Sequence, residues 1–136
     1  MYILSLFDKP ASRGSFEFLL RGEPIERVTD ALFTTAQKGH TPLPPNTLQT
    51  LLSRLEKAKL ISQGKDVQGV WLSLDAHPLV REYFARELQK HCQQGWREAH
   101  RRVFHYLCTN TPDEDQPTLE DLLPLYQAVM HGCAAG

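Results

Sequence analysis

The residues able to do chemistry in this chain are six histidines, three cysteines and one Gly-Lys pair, and their spacing decides what they can do. Gly64-Lys65 has the ending of a phosphate-binding loop. Such a loop wraps phosphate in backbone N–H groups and holds magnesium on a hydroxyl, which requires a glycine five residues upstream and Ser or Thr after the lysine. Lys59 and Asp66 stand at those positions, so the pair is expected to be a hairpin tip. Among His40, His77, His91, His100, His105 and His131 no two stand at i, i+4, as the paired histidines of a helical zinc site would. His100 and His105 are five apart and point to different helix faces. Cys92, Cys108 and Cys133 are odd in number and widely separated, neither a disulfide framework nor a CxxC metal pair. They are expected to be core or half-exposed thiols in a reducing, cytoplasmic setting. With no GxSxG elbow either, the chain is expected not to be an enzyme, and no catalytic residue or metal is proposed.

The elements that must carry these residues are mostly helical. Met1 to Phe7 is apolar and starts as if its upstream half were missing. Ser15 to Leu20 reads as a short helix stopped at Gly22, and Ile25 to Phe33 as a second one opened by Pro24. Gly39 to Pro45, with three prolines, reads as a loop. Asn46 is placed to cap the clearest helix, where Leu48, Leu51, Leu52 and Leu55 follow the i, i+3, i+4, i+7 pattern. A glycine-tipped hairpin follows, in which Val70, Leu72 and Leu74 alternate with Trp71, Ser73 and Asp75.

Pro78 suits a first helical position, and Leu79, Val80, Tyr83, Phe84 and Leu88 are expected to line one side of the helix it opens. Gln93 to Gly95 interrupt it. The next helix carries Trp96, Ala99, His100, Val103, Phe104 and Leu107 at 3–4 spacing. Thr109 to Pro117 is an acidic linker, and Pro124 is expected to break the pattern that runs from Leu119, so that a helix proper starts there.

The chain has 136 residues, a net charge of −1 and 41% hydrophobic residues, enough for a core without staples. That balance argues against a general polyanion binder, which needs an excess of Lys and Arg on one face. Charge is nevertheless uneven: six basic residues against three acidic lie between Arg81 and Arg102, and five acids with no base between Asp113 and Asp121. The basic stretch is either a solvated helix face or a surface that meets an acidic partner or a phosphate. No apolar run approaches the roughly 18 residues of a membrane span, so neither an anchor nor a membrane partner is expected.

Leu48 to Ile61, LQTLLSRLEKAKLI, followed by the hairpin and Trp71-Leu72-Ser73-Leu74, resembles the third helix and wing of a winged-helix domain over residues 1–90. Lys59 stands where that family usually has glycine, so the turn into the wing should require either a left-handed lysine at a cost of roughly 1 kcal/mol or a slightly different exit. The resemblance admits two functions. As a DNA-binding transcriptional regulator, the domain would read the major groove with Gln49, Ser53, Arg54 and Lys57. As a packing and switching module, it would work inside a larger protein.

Asp75-Ala76-His77-Pro78 followed by Leu79-Val80-Arg81-Glu82 resembles the segment that closes the winged helix in STAND-class signal-transduction ATPases, which include the NB-ARC proteins and carry Met-His-Asp before Leu-Val-Arg-Glu. The resemblance implies that His77 contacts the phosphates of ADP held by an upstream nucleotide-binding domain, although Ala76 and Pro78 replace the flanking methionine and aspartate. The other reading of His77 is a helix cap. Leu122 to Gly136 resembles the first helix and turn of a tetratricopeptide repeat, about half of a 34-residue unit. A half-repeat cannot bury its own face and should pack back on the preceding helices or against another copy.

The resulting expectation is a mainly α protein with a small β-hairpin wing: a winged helix at 1–90, a helical extension at 91–111, and an acidic linker with a truncated repeat at 112–136. It would be a non-catalytic regulatory module, cut from a longer signal-transduction protein, that links an upstream nucleotide-binding domain to downstream repeats. It would hold no cofactor of its own, with ADP or ATP bound upstream.

Overall fold

The computed structural model describes residues 1–36, 39–112 and 116–136. The fold is mainly α, with two small antiparallel sheets. A 3-10 turn at Leu4–Leu6 precedes strand β1 (Ala11–Ser12) and helix α1 (Arg13–Leu19). Ser12 opens α1 by accepting the Ser15 N–H on its hydroxyl at 3.2 Å.

The expected second helix over Ile25 to Phe33 does not form. One turn is made, with the Thr29 N–H on the Ile25 carbonyl at 2.9 Å and the Thr29 hydroxyl accepting the Ile25 N–H at 2.8 Å, but Arg27 at φ 59° takes the backbone out of the right-handed helical region. A 3-10 turn at Asp30–Leu32 leads instead into strand β2 (Phe33–Ala36), antiparallel to β3 (Gly39–Pro42). The supposed loop from Gly39 therefore begins as a strand, and Pro42 is tolerated because it pairs with Phe33 at the end of a two-stranded ribbon.

Helix α2 (Pro45–Lys57) starts two residues earlier than expected, with Pro44 rather than Asn46 at the N-cap. Proline at the first position already has helical φ and lacks only an N–H that would go unpaired. Leu52 is buried, and Leu48 and Leu55 pack against the core. At the other end the Leu60 N–H reaches the Leu55 carbonyl (3.0 Å) and the Lys59 N–H reaches that of Glu56 (2.9 Å), a paired C-cap that requires a left-handed residue. Lys59 supplies it at φ 57°. Lys59→Gly is accordingly expected to stabilise the protein by about 1 kcal/mol, read as a higher urea midpoint at unchanged slope.

Strands β4 (Ile61–Lys65) and β5 (Trp71–Ala76) form the hairpin, and β1 closes the sheet on the far side of β5, giving the order β1-β5-β4. A register shift at Gly64/Lys65 places Leu72 without a partner. The simple alternation is lost at this bulge: Trp71 and Leu74 are both buried and Leu72 is exposed. Phe16 of α1 meets Trp71 edge to face at 5.6 Å, which ties the sheet to the helices.

Helix α3 (Pro78–His91) and helix α4 (Gln93–Asn110) are separated by Cys92 alone. Gln93 to Gly95 are thus the first turn of α4 rather than a break, and α4 runs two residues into the expected linker. On α3, Leu88 is fully buried, but Leu79 and Tyr83 face outward. Cys92 is buried, Cys108 and Cys133 are exposed, and all three are free.

The acidic linker falls partly outside the described residues. Helix α5 (Leu119–Ala135) is continuous through Pro124. Thr118 and Asp121 form a reciprocal capping box at its start, which draws the Asp121 carboxyl below its usual pKa through bonds from the Thr118 hydroxyl and N–H. That cap and packing on α4 offset the one backbone bond that Pro124 cannot make. The core runs from Ile3, Leu4 and Leu6 through Phe16, Leu52 and Leu74 to Leu88, Ala99 and Val103. Among the described residues, no helix is long and apolar enough to cross a membrane.

Candidate functional site

His77 lies between the last residue of β5 and the first of α3, where the chain turns from extended (ψ 137°) into the helix opened by Pro78. Its Nδ1 accepts the Leu79 N–H at 3.3 Å, and its carbonyl accepts from Val80 (2.9 Å) and Arg81 (3.0 Å). Commitment of Nδ1 as an acceptor assigns the neutral ring its proton at Nε2. The exposed imidazole therefore caps the helix on one side and can present one N–H donor on the other, at a helix end that already favours anions. Arg81 Nη1 stands 3.0 Å from Asp75 Oδ1 without the alignment of a hydrogen bond, and this ion pair fixes the start of α3 to the end of β5.

The four residues read as a groove-binding set are not presented as one surface. Gln49 donates to Gln63 of β4 at 3.4 Å, which turns it toward the wing. Ser53 is half-buried, and only Arg54 and Lys57 are exposed. Both cations lie in the last turn of α2, where they complement the helix dipole. Between helix and wing, Glu56 accepts from Lys65 Nζ (3.2 Å), Gln63 Nε2 (2.9 Å) and the Gln63 N–H (3.1 Å). Lys65 first, and then the Gln63 N–H, lower the Glu56 pKa. The hairpin tip is closed by Asp66, whose Oδ1 accepts the Gln68 and Val70 N–H groups at 2.8 and 2.9 Å. An acid at the tip and an acid neutralising the wing lysine leave little positive charge for a phosphate backbone.

A further arrangement joins residues 31 apart in sequence. His100 of α4 and His131 of α5 meet with their Nδ1 atoms 2.8 Å apart, at 5% and 6% exposure. Burial pushes His100 down to about 3, helped by the neighbouring His131, and pushes His131 down to about 4 against a small opposing pull from Asp8. His100 Nε2 is buried without a partner among the described residues. The pair lies beside a groove of about 680 Å³ between the Ser5–Pro10 segment, α3 and α5, walled by Phe7, Trp96, Leu123, Tyr126 and Met130.

A search for i, i+4 ligands on one helix could not find this pair. The signal available was a histidine on the apolar stripe of one helix together with a second beside the small-residue face of the next. Among the described residues, no group of three or more His, Cys, Asp or Glu side chains is placed to hold a metal ion. Set against known proteins, the chain matches no family model, no curated protein and no solved structure.

Proposed function

We propose that the chain is a non-catalytic regulatory and coupling module of a STAND-type signal-transduction ATPase. In this reading residues 1–90 are a winged helix, 91–111 a helical extension, and 112–136 a linker with the first helix of a tetratricopeptide-type repeat. Carrying the reading is the sheet order β1-β5-β4, in which a strand from before α1 and α2 closes the hairpin that follows them. The exposed His77 at the head of α3 adds to it, since its Nε2–H is available to a phosphate on an upstream nucleotide-binding domain of the same polypeptide. The module needs no cofactor, metal or catalytic residue of its own in a cytoplasmic machine, and α5 would begin the stack of sensor repeats. ADP upstream would hold the module closed through His77, and exchange for ATP would release it.

Two substitutions separate the phosphate contact from the helix cap. In the full polypeptide, His77→Asn keeps a capping acceptor but removes the imidazole donor, while His77→Ala removes both. A hydrogen bond to a charged phosphate is worth about 1.5–3 kcal/mol, so both variants are expected to lose bound ADP roughly ten- to a hundredfold faster than wild type. Only His77→Ala should also lose about 0.5–1 kcal/mol of stability. ADP release by His77→Asn at the wild-type rate would leave His77 as a cap and end the switch role.

The alternative, a DNA-binding regulator, has weaker support because Gln49 is turned to the wing and the two exposed cations stand at the far end of α2. Tight, salt-sensitive anisotropy binding to mixed-sequence duplex, weakened by Arg54→Ala or Lys57→Ala, would replace the coupling role with that reading.

A further inference from the structure

Helix α5 lies on α4 through small side chains. Ala128 of α5 is buried, as are Ala99 and Val103 of α4, and a Cβ at Gly132 would come within 3.3 Å of the Phe104 ring. His100 and His131 stand within this packing, one on each helix, joined Nδ1 to Nδ1 at 2.8 Å. That distance requires one N–H and one lone pair on the line between them, so at least one ring must be neutral at Nδ1.

We propose that His100 and His131 form a proton-operated latch that holds α5 on α4 while the pair shares a single Nδ1 proton and releases it when both imidazoles are protonated. One added proton can be accepted, because an imidazolium still donates to a neutral ring. The second cannot: two N–H groups would then face each other at 2.8 Å in a buried position, and only separation of the helices relieves them.

The groups facing the pair set the order of protonation. Asp8 and Lys9 come from the N-terminal segment, Arg81 and Glu82 from α3, and the Tyr126 phenol from α5 itself. Asp8 favours charge on His131, whereas His100 has Trp96 against its ring at 4.1 Å and a charged His131 opposing it. His131 thus takes the first proton and His100 the second, which is the releasing one. Release would uncover the Ala99–Val103 face of α4 and the small-residue face of α5.

Hydrogen exchange on the intact chain between pH 7 and 4, corrected for intrinsic rates, tests the latch. Protection over residues 126–135 of α5 should fall at least roughly tenfold in acid while α2 keeps its own. The double variant His100→Leu/His131→Leu, which can gain no proton there, should keep α5 protected to the lowest pH, while His131→Leu, which leaves His100 buried and able to gain a proton on opening, should fall between it and wild type. Loss of protection in α5 and α2 together at one midpoint, or the same α5 profile in wild type and the double variant, would overturn the proposal. Where the double variant fails to fold, the comparison of α5 with α2 in the wild type decides by itself.

Discussion

Gly95→Ala is expected to destabilise the protein by about 1–3 kcal/mol, although alanine is the better helix former. Gly95 is buried in the first turn of α4, and a Cβ there would stand 2.5 Å from the Glu26 carbonyl oxygen and 2.8 Å from Cys92 Sγ. Neither obstacle is the free end of a long side chain. The Glu26 carbonyl belongs to a turn pinned by buried Ile25 and Val28 and by the Thr29 hydroxyl, and Cys92 Sγ itself lies 3.6 Å from that carbonyl. One methyl group must therefore push α4 away from the turn. The helix-propensity gain, at most about 1 kcal/mol and less in a first turn, does not offset this. Gly132→Ala provides the contrast: its Cβ would meet the Phe104 ring at 3.3 Å, and that ring is partly exposed and able to rotate, so the two effects nearly cancel. Urea denaturation of the two variants measures the difference. A Gly95→Ala protein as stable as wild type would mean that the Glu26 turn does not sit against α4.

What the sequence made legible follows the range of the forces involved. The α2 stripe, the hairpin after it and the core face of α4 were readable because periodicity reports burial along one element. Even the left-handed Lys59 was foreseeable, because the turn demands that conformation from whatever residue stands there. Local rules failed where another part of the chain, or a neighbouring side chain, outweighed them. Arg27, held left-handed in a turn that the Thr29 hydroxyl pins, ended a helix that the apolar spacing suggested. Packing on α4 and the Thr118 cap carried α5 across Pro124. Leu79 and Tyr83 fit the α3 stripe yet face outward, since the core beneath α3 is filled by Leu88 and the N-terminal Ile3, Leu4 and Leu6. His77 at a helix start was a local inference and its position agrees with it. The His100–His131 contact spans two helices, and no single periodicity contains it.

That contact carries the second large expected effect, a loss of stability in mild acid. Each imidazole ordinarily titrates near 6.5, and burial lowers His100 to about 3 and His131 to about 4 in the native protein. Between 6.5 and those values the unfolded chain binds more protons than the folded one, so stability rises with pH there and falls as the solution is acidified. Above 6.5 both states are neutral at these rings and the penalty vanishes. At about 1.4 kcal/mol per pH unit, moving from pH 6.5 to 4.5 costs roughly 2–3 kcal/mol for each imidazole, and about twice that for the pair. The carboxylates held low, Glu56 beside Lys65 and Asp121 in its capping box, also destabilise the fold in acid, but only as pH drops through the ordinary carboxylate range. The two contributions therefore separate along the pH axis. The double variant His100→Leu/His131→Leu should match wild type to within about 1 kcal/mol at pH 7, because replacing both partners of a buried polar pair leaves no orphan. At pH 4.5 it should be more stable by several kcal/mol, in denaturant titrations across that interval. Parallel losses in wild type and variant between pH 6.5 and 4.5 would assign the acid sensitivity elsewhere and show that the pair is not the group gaining protons.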